Sequence, residues 1–441
     1  IRANKIEIVS TIQILLNTLN DEGCNVPLFQ KGIALKVLPI KTYWFNDGLF
    51  VLDAEEAYKD AIGQQIITIN NTPIDDVFNK LKRLINADND YYKQHLFQAY
   101  GLMPAFLEII GIGYSDDKAK LSFSSGKDIE FTGVTIDDYA QLSRGLPNDE
   151  LSSFTGIDYS GKNYWSEMLP NSKTLFIQMQ RIENNRQGLS FSKFIDDIES
   201  LIDSKKTDKI VLDLRYGGGG NGFKLKRFTD LLRTSQEINK KGNLFVLTSK
   251  ATRGTLLELA SILKLNTKAI LVGEPTAEGP NSVGDIKYIT LPNSGIRVSL
   301  THIFWPTSWK KDTNNTVWPD EQVVYNYSDK KNERDPWLEL VYNYQNEKTL
   351  NPVPEHIKNN LVGTYKVENR KITIKNIDGK LFLTMNRKMK SFFEIHTELY
   401  YESEGKITTD IDGVSILYRN SSSSNLELQA INWKGINLKV H

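Results

Sequence analysis

Asp213-Leu-Arg-Tyr-Gly-Gly-Gly-Gly-Asn-Gly222 joins an apolar strand pattern, residues 210–213, to a helical pattern, residues 223–232. Glycines let a backbone approach a ligand closely, and successive N–H groups at a helix N-terminus form a site for an anion or an oxyanion. In α/β sheets such ligands bind beyond the carboxyl ends of the strands. The stretch therefore predicts an α/β domain with a candidate site in this loop. The alternative is a tight strand-to-helix turn without a ligand.

Two nucleotide-binding motifs can be compared with this loop. Gly217, Gly219 and Gly222 have the GxGxxG spacing of a dinucleotide-binding turn. That fold also requires an acidic residue at the end of the next strand to bind the ribose, and this strand ends in Thr248 and Ser249. No Gly-Lys-Ser/Thr follows the loop, which excludes a P-loop. We therefore predict no cofactor.

Apolar strand patterns alternate with helical patterns from about residue 160 to 345. Short, fully apolar strands separated by helices are typical of a buried parallel sheet, so this block predicts an α/β domain. The strands are predicted at residues 175–178, 210–213, 244–247 and 269–272, and the helices at residues 191–202, 223–232 and 255–264.

Two more loops follow predicted strands of this domain. Leu247-Thr-Ser-Lys-Ala-Thr-Arg-Gly-Thr-Leu-Leu-Glu258 is a strand–turn–helix pattern, which can place a nucleophile at the start of a helix. Val272-Gly-Glu-Pro-Thr276 follows the next strand. Because the carboxyl ends of parallel strands lie at one edge of a sheet, we expect all three loops to line one crevice.

The remaining segments predict further units. Residues 1–20 and 75–85 have the apolar spacing of helices, and residues 119–134 alternate like a β-hairpin. Asn351-Pro-Val-Pro354 predicts a linker. The segment after it shows short alternating stretches without a helical period, as in a small β-barrel or sandwich. The predicted units are residues 1–40, 41–140, 141–350 and 355–441.

Composition excludes several classes of protein. The chain has 54 Lys and Arg and 54 Asp and Glu, so its formal net charge is zero, whereas nucleic-acid-binding domains are usually basic. One cysteine, Cys24, excludes internal disulfides and cysteine-based zinc sites, and the five histidines are too dispersed for a histidine-rich metal centre. No apolar run reaches the roughly 20 residues of a membrane-spanning helix. We predict a globular protein without nucleic acid or metal, and no sequence feature indicates its oligomeric state.

The order of the three loops resembles that of the C-terminal-processing, or tail-specific, serine peptidases. In that family an Asp-Leu-Arg-x-Asn-x-Gly-Gly run supplies an oxyanion glycine, a Thr-Ser-Arg-x-Thr-Phe-Ser-Ala loop carries the nucleophile, and a Gly-Glu-x-Thr element follows. The corresponding stretches here are residues 213–220, 248–255 and 273–276. The resemblance covers about residues 1–345. Further matching elements are Leu291-Pro-Asn-Ser-Gly295, Pro319-Asp320 and Asp335-Pro336.

The resemblance implies a fold, a location and a ligand. The fold would be an α/β core of the crotonase-like or ClpP-like ββα type, with a helical N-terminal segment and a PDZ-like module in residues 41–140. An all-β domain like those of secreted bacterial hydrolases would follow the core. The location would be secreted, periplasmic or at the cell surface, with the targeting segment not present in a chain that begins at Ile1. The ligand would be a peptide or a protein.

The chain departs from the family at the catalytic positions. Gly254 stands at the position of the nucleophilic serine, and glycine has no side chain to form an acyl-enzyme. The stretch Gly273-Glu-Pro-Thr-Ala-Glu-Gly-Pro280 contains no lysine, although the family's lysine base lies there. In the branch that uses a histidine base, Asp-Gly-His-Thr carries it, and the nearest equivalent, Asp21-Glu-Gly-Cys-Asn25, has Cys24 at that position. These departures predict a site that has lost both nucleophile and base.

Other side chains could act as nucleophile or base instead. Thr252 and Thr255 carry hydroxyls near the nucleophile position, but threonines at a helix start usually act as N-caps. Cys24 could be a thiol nucleophile, although a lone cysteine after a helix is more often a small buried hydrophobe. His95 and His302 are the only histidines in the first 350 residues, and we expect ordinary hydrogen-bonding roles for both.

Three hypotheses follow for the function. The first is a peptide- or protein-binding relative of the tail-specific peptidases without catalysis, whose oxyanion or peptide-binding groups are Gly218, Gly219 and Thr255. The second is an active peptidase with a rearranged site that uses Thr255 or Cys24. The third is a ligand-binding protein that acts through the β domain at residues 355–441, with the core as a scaffold. The expected site-shaping residues are Asp213, Arg215, Glu274 and Thr276.

Overall fold

Helices and strands alternate through the first part of the chain, and antiparallel strands form most of its C-terminal part. The computed structural model describes residues 4–30, 32–113, 116–139, 162–184, 189–345, 350–368, 370–388, 392–422 and 425–440. No helix in these ranges is long and apolar enough to cross a membrane. The helices are α1 (Lys5–Asn17), α2 (Ile74–Leu81), α3 (Asp90–Tyr100), α4 (Pro104–Ile109), α5 (Phe191–Asp203), α6 (Leu225–Thr234), α7 (Gly254–Asn266), α8 (Tyr327–Lys331), α9 (Pro336–Asn343) and α10 (Glu355–Leu361).

The strands are short in the core and longer in the C-terminal part. They are β1 (Lys36–Val37), β2 (Ile40–Phe45), β3 (Gly48–Ala54), β4 (Ile66–Ile69), β5 (Thr72–Pro73), β6 (Lys118–Phe123), β7 (Asp128–Thr132), β8 (Val134–Thr135), β9 (Tyr164–Met168), β10 (Thr174–Met179), β11 (Lys209–Asp213), β12 (Leu244–Thr248), β13 (Ile270–Gly273), β14 (Asn281–Thr290), β15 (Arg297–Pro306), β16 (Glu321–Gln322), β17 (Asn351–Pro352), β18 (Gly363–Val367), β19 (Arg370–Ile377), β20 (Lys380–Lys388), β21 (Phe392–Ser403), β22 (Lys406–Thr409), β23 (Val414–Ser422), β24 (Asn425–Trp433) and β25 (Ile436–Lys439).

A six-stranded sheet, in the order β16-β13-β12-β11-β10-β9, forms the centre of the molecule. Strands β10 to β13 and β16 run parallel, and β9 pairs antiparallel with β10 at one edge. Every residue of β10, β12 and β13 is buried, because α5, α6 and α7 pack on one face and α9 on the other. The α/β architecture predicted from these apolar runs is confirmed. All three motif loops follow parallel strands of this sheet.

The residues that precede the sheet form a second hydrophobic core. Strands β2 and β3 make a two-stranded sheet, and a four-stranded sheet has the order β5-β4-β6-β7. One cluster of buried side chains joins α1, α2, α3 and α4 to these strands and includes Ile296 and Val298 near the start of β15. Helix α1 and the hairpin of β6 and β7 agree with the sequence predictions. The predicted boundary at residues 140/141 lies outside the described residues.

Strands β14 and β15 form a long two-stranded ribbon. They pair antiparallel from Asn281 opposite Pro306 to Thr290 opposite Arg297. Much of the ribbon is exposed to solvent, whereas Ser299 near its base is buried and exchanges backbone hydrogen bonds with Asn25 of the N-terminal loop. The ribbon is therefore fixed at its base to the N-terminal core.

The C-terminal strands form one antiparallel sheet in the order β18 to β25. A bridge between Val367 and Val440 brings its first and last strands together, so the sheet is nearly closed around an apolar interior. Two details of the sequence prediction are wrong. The predicted linker contains strand β17, which pairs with β21, and α10 lies where no helix was predicted. Helix α10 forms because Ile357 and Leu361 are buried in the barrel core. The helix has only seven residues, and the spacing of apolar residues in so short a segment does not predict this tertiary contact.

The β domain packs directly against the α/β core. The Trp433 indole N–H donates to the backbone oxygen of Leu265 at 3.1 Å, and both residues share one buried cluster with Trp309. An ion pair of 2.8 Å between Lys241 and Asp412 crosses the same boundary. Removal of the β domain would therefore expose apolar surface of the core.

Candidate functional site

The glycine loop after β11 has its path fixed by two neighbouring segments. Gly218 makes a parallel bridge with Arg253 in the second loop, and Gly220 makes one with Ile182. Gly220 has a φ of +113°, and a Cβ there would lie 2.6 Å from the backbone nitrogen of Ile182. Only glycine fits this path, so a tight turn accounts for Gly220. A Cβ on Gly219 would instead meet nothing within 4 Å, because this residue faces open space.

Asp213 and Arg215 lie beneath the glycine loop in a buried ion-pair network. Arg215 is 1% exposed and pairs with Asp213 at 2.9 Å and with Asp335 at 3.0 Å. Asp335 also caps α9 by accepting N–H bonds from Trp337 and Leu338. The network supports the loop from inside the protein and does not contact the open space above it.

Hydroxyl groups of the second loop bind it to the first. Ser249 Oγ donates to the Arg215 backbone oxygen at 2.7 Å, and Thr252 Oγ1 donates to that of Leu214 at 2.9 Å. Both side chains are buried. Thr252, one of the possible substitute nucleophiles, therefore uses its hydroxyl proton to join the two loops.

Gly254 is the first residue of α7 and lies against the glycine loop. Its φ is +55°, and a Cβ at this position would lie 2.8 Å from the backbone nitrogen of Gly219. Its N–H donates to Oε1 of Glu278 at 3.2 Å. A side chain at position 254 would require both a left-handed backbone and a displacement of the glycine loop, which favours glycine over serine.

We expect Gly254→Ser to destabilise the protein and to create no reactive serine. The left-handed conformation costs about 1–2 kcal/mol for a residue with a Cβ, and the contact with Gly219 adds to this cost. In urea denaturation the loss should exceed that of the control Gly126→Ser. Gly126 also has a positive φ, +83°, but nothing lies within 4 Å of its Cβ position. Equal losses of unfolding free energy in the two variants would show that the glycine loop shifts to make room for the side chain without destabilising the protein.

Thr255 lies in the first turn of α7 and is 8% exposed. Its Oγ1 donates to the backbone oxygen of Gly220 at 3.1 Å. This bond ties the helix to the glycine loop and directs the hydroxyl proton at a carbonyl oxygen, which is not a catalytic base. Thr255 lines the same cavity as Gly219 and Gly254, so the structure brings these three sequence-predicted residues together.

Glu274 and Thr276 connect the third loop to its neighbours. The Glu274 N–H donates to the Thr248 backbone oxygen at 3.1 Å, and its carboxylate lies 3.6 Å from Lys250 Nζ. Thr276 Oγ1 donates to the backbone oxygen of Glu278 at 2.8 Å. Both side chains are buried behind the cavity lining and hold the third loop in place.

Glu278 is a site residue that the sequence interpretation missed. It lies in the stretch where a lysine base was expected, two residues after Thr276. Its carboxylate reaches the start of α7 and accepts the Gly254 N–H bond. The available signal was an acidic residue in the segment that carries the base in the family. An N–H group of the kind that binds an oxyanion is thus bonded to a carboxylate.

The N-terminal loop after α1 brings Asp21, Glu22 and Gly23 to the same cavity. Cys24, at the histidine-base position, is 4% exposed, with its Sγ 3.5 Å from Asp21 Oδ2 and 3.3 Å from Thr301 Oγ1. Burial above all raises the pKa of the Cys24 thiol. A thiol with a raised pKa is protonated and weakly nucleophilic near neutral pH, so Cys24 packs as a small buried side chain behind the loop.

Glu22 connects the N-terminal loop with α3 and α7. Its Oε2 lies 3.4 Å from Arg253 Nη1, and its Oε1 accepts the Tyr92 hydroxyl at 3.3 Å. The Glu22 backbone N–H donates to the carboxylate of Asp88 at 3.4 Å. Asp88 had no role in the sequence interpretation. The loop that carries a histidine base in the family therefore presents carboxylates here.

The two candidate histidines lie outside the lining of this cavity. His95, on α3, stacks against Tyr92 with the ring centroids 5.7 Å apart. Burial, with smaller effects from the charges of Lys250 and Arg253, lowers the pKa of His95 to about 4. His302 is exposed on β15. Neither imidazole is placed to act as a base beside Gly254.

These segments enclose a cavity of about 500 Å³, a volume within the usual range of ligand sites. Its lining comes from the glycine loop, the start of α7, the N-terminal loop and the ribbon. The apolar part includes Ile286, Trp305 and Phe223, and Phe223 is 73% exposed. The rings of Phe223 and Trp305 meet edge to face with centroids 6.0 Å apart. The cavity thus offers aromatic surface beside the backbone groups of the loops.

Carboxylates predominate among the charged groups of the cavity. Arg253 is the one cation among the described lining residues. The acidic lining residues are Asp21, Glu22, Asp88, Glu258, Glu278 and Asp285. Despite their number, no group of three or more His, Cys, Asp and Glu side chains within the described ranges could hold a metal ion.

Two of these carboxyl groups have raised pKa values. Burial, followed by the charges of Glu278 and Asp21, raises the pKa of Asp88 to about 8. Burial, followed by the charge of Glu22, raises the pKa of Glu278 to about 7, although the Gly254 N–H bond and Arg253 act in the opposite direction. Ionisable groups with strongly shifted pKa values in a cavity are typical of functional sites.

Comparison with known proteins identifies the fold. No protein-family model matches the chain, and no curated protein matches it. Mature CPAF complexed with lactacystin is similar, with a TM-score of 0.53, 13% identity, and coverage of 76% of this chain and 87% of that chain. Mature CPAF alone gives a TM-score of 0.50 at 13% identity, with coverage of 76% of this chain and 86% of that chain. The photosystem II D1 C-terminal processing protease gives a TM-score of 0.33 at 14% identity, with coverage of 73% of this chain and 82% of that chain. The predicted resemblance to C-terminal-processing peptidases is confirmed at the level of the fold.

Proposed function

We propose that the chain is a peptide-binding protein with the fold of the tail-specific peptidases, and that it does not cleave its ligand through an acyl-enzyme. The cavity accepts an extended segment of a peptide or protein, which contacts the backbone groups of the glycine loop and the start of α7. A location outside the cytoplasm, predicted from the resemblance, belongs to the same proposal.

The hydrogen bond from the Gly254 N–H to Glu278 carries this proposal. In a serine peptidase a hydroxyl attacks from this position, and nearby N–H groups stabilise the negative oxygen of the intermediate. Gly254 supplies no hydroxyl, and the Glu278 carboxylate accepts the N–H bond in place of that oxygen. The absence of a nucleophile and the occupied N–H group both favour binding without acyl transfer.

The charge of the cavity supports the same proposal. The tetrahedral intermediate of acyl transfer gains a negative oxygen, which requires donors and positive charge around it. Six carboxylates line this cavity against Arg253, and their mutual repulsion already contributes to the raised pKa values of Asp88 and Glu278. A further negative charge would be destabilised here, whereas an uncharged peptide backbone would not.

The geometry gives less support to the two other hypotheses. An active peptidase would need Thr255 or Cys24 as nucleophile, but the Thr255 hydroxyl donates to Gly220 and the Cys24 thiol is buried with a raised pKa. A ligand inside the β domain would need space that its own apolar side chains fill. We therefore place the ligand in the cavity beside Gly254.

Incubation with a fluorophosphonate probe and with a set of unstructured peptides tests the proposal. We expect no covalent labelling and no cleavage products in mass spectrometry, but saturable binding of some peptides in fluorescence anisotropy. Ser282→Trp should abolish this binding, because Ser282 lines the cavity. Lys287→Trp is the matched control, since Lys287 is exposed on the same strand and is not among the residues that line the cavity.

Two results would overturn the proposal. Covalent labelling, or peptide turnover that Thr255→Ala abolishes, would establish an active peptidase instead. Equal peptide binding by the Ser282→Trp variant and the native protein would place the ligand outside this cavity. Retained folding of both tryptophan variants is checked by circular dichroism before binding is measured.

A further inference from the structure

A second cavity adjoins the candidate site, and Asp88 lines both of them. It has a volume of about 590 Å³, and polar residues such as Asn89, Asn281 and Asn315 form much of its lining. Because one side chain borders both spaces, they meet at Asp88. The two cavities are therefore neighbours, with Asp88 in the lining of both the apolar and acidic one beside Gly254 and the polar one.

Four charged side chains line the second cavity, namely Asp88, Asp90, Lys93 and Asp312. Asp90 pairs with Lys82 at 2.7 Å, and Lys93 Nζ donates to the side chain of Asn17 at 3.2 Å. The carboxylate of Asp88 accepts a backbone N–H from Glu22, which brings no positive charge. Above its raised pKa of about 8, Asp88 thus places a negative charge where the two cavities adjoin.

We propose that the ligand of this site is a cationic peptide, whose ammonium or guanidinium group binds beside Asp88 while its chain extends into both cavities. The inference rests on the proposed function and specifies its ligand. Asp21, Glu22 and Glu278 provide additional negative charge on the side of the first cavity. The charged group can be a lysine or arginine side chain or a free amino terminus.

The apolar part of the lining favours a peptide over a small inorganic cation. Lysine and arginine carry aliphatic stems that pack on apolar surface, and their charged ends interact with aromatic faces. Trp305, Phe223 and Ile286 supply such surface in the first cavity. The carboxylates do not converge as the ligand set of a metal ion within the described part of the chain.

The protonation of the site gives the binding a pH dependence. The groups that face Asp88 and Glu278 are Asp21 and Glu22 of the N-terminal loop, Tyr92 of α3 and Arg253 before α7. The pKa values of Asp88 and Glu278, about 8 and about 7, lie above those of ordinary carboxyl groups, so both ionise as the pH rises from 6 to 9. A peptide that binds through a lysine or arginine side chain should therefore bind more tightly at pH 9 than at pH 6, whereas a free amino terminus loses its own charge at about pH 8.

Matched nonapeptides with a central Lys, Gln or Glu, each with a free or an acetylated amino terminus, test the inference by fluorescence anisotropy. We expect the acetylated Lys peptide to bind at least tenfold more tightly than the acetylated Gln peptide, and the Glu peptide to bind least. A gain for the free over the acetylated Gln peptide identifies the amino terminus as a second source of the same charge. All affinities for cationic peptides should fall as salt is added.

Substitution of Asp88 assigns the effect to the proposed position. Asp88→Asn should reduce the affinity of the Lys peptide about tenfold and leave that of the Gln peptide unchanged. The comparison is made at pH 9, where Asp88 is ionised, and Asp76→Asn is the matched control because Asp76 is exposed on α2 and the net charge then changes equally. Glu22→Gln provides a second variant, in the residue whose backbone N–H donates to the Asp88 carboxylate.

The outcomes separate the inference from the proposed function. Equal affinities for the Lys, Gln and Glu peptides overturn the inference but leave a peptide-binding protein. An Asp88→Asn variant that folds and keeps the full preference for the Lys peptide also overturns it. Absence of binding for every peptide overturns the proposed function, and the inference with it. The comparison of peptides on the native protein decides the charge preference even if a variant does not fold.

Discussion

Replacement of Arg215 by methionine is expected to lower the free energy of unfolding by about 3–5 kcal/mol, the usual cost of breaking a buried ion pair. Arg215 is 1% exposed, and its guanidinium is shared by Asp213 and Asp335 at 2.9 and 3.0 Å. Methionine has a similar volume but no charge, so both carboxylates would remain in the interior without a cation. Urea denaturation of the native and Arg215→Met proteins measures the difference.

The same substitution should also weaken peptide binding. The backbone oxygen of Arg215 accepts the Ser249 hydroxyl, so a shift of residue 215 moves both loops of the site. Arg227→Met is a matched control, because Arg227 is 47% exposed and pairs with Asp196 and Glu199 at the surface, where ion pairs contribute little. A loss of stability no larger for Arg215→Met than for Arg227→Met would contradict the expected role of the network.

The α/β core could be predicted from the sequence because its signals are local. Strand β12 contains four consecutive apolar residues and β11 and β13 contain three each, and the helical patterns between them follow loops rich in glycine, serine or threonine. A run of this length, buried on both faces, is recognised without knowledge of its neighbours. The positions of the three loops at one edge of the sheet then follow from the parallel order of the strands.

The ribbon of β14 and β15 and the helix α10 depend on distant contacts instead. The ribbon is largely exposed, so burial does not impose a clear alternation on its sequence, and its base is fixed by Asn25, 274 residues from Ser299. Helix α10 is buried against the barrel through Ile357 and Leu361. Neither contact has a counterpart in the spacing of nearby residues, which is why the sequence did not predict these elements.

The candidate site shows the same contrast between residues predicted from local sequence and residues whose role depends on distant contacts. Gly219, Gly254 and Thr255 were predicted together, because each belongs to a loop that follows a parallel strand. Asp88 and Glu278 were not, because their role comes from the approach of carboxylates that are far apart in the sequence. Burial and mutual repulsion raise both pKa values, and neither effect can be read from a single segment.

Glu278→Gln is expected to stabilise the protein at pH 9 and to change its stability little at pH 4. Burial and neighbouring charges raise the pKa of Glu278 from 4.5 to about 7, so the folded state binds the proton more tightly than the unfolded chain. The stability from this proton is fully present below about pH 4.5 and is lost as the pH rises through 7. One pKa unit corresponds to about 1.4 kcal/mol, and allowing for readjustment of Asp88 we expect a gain of about 2 kcal/mol at pH 9.

Glutamine isolates the charge, because its side-chain oxygen can still accept the Gly254 N–H bond. Urea denaturation at both pH values measures the gain, and Glu237→Gln, an exposed glutamate with a lowered pKa, should show none. The combined variant with Asp88→Asn should gain less than the sum of the two, since the charge of Glu278 raises the pKa of Asp88. A gain that persisted at pH 4, or that failed to appear at pH 9, would contradict the raised pKa.

At pH 9 Glu278→Gln should also reduce the affinity for the acetylated Lys peptide, although the protein is more stable. Neutralising a carboxylate that serves only the fold would lower the stability of the protein. A carboxylate that binds a cation instead destabilises the free protein until the ligand is present. The two measurements therefore separate these roles for the same residue at the same pH. A stabilised variant with unchanged affinity would restrict the cation-binding charge to Asp88 and the N-terminal loop.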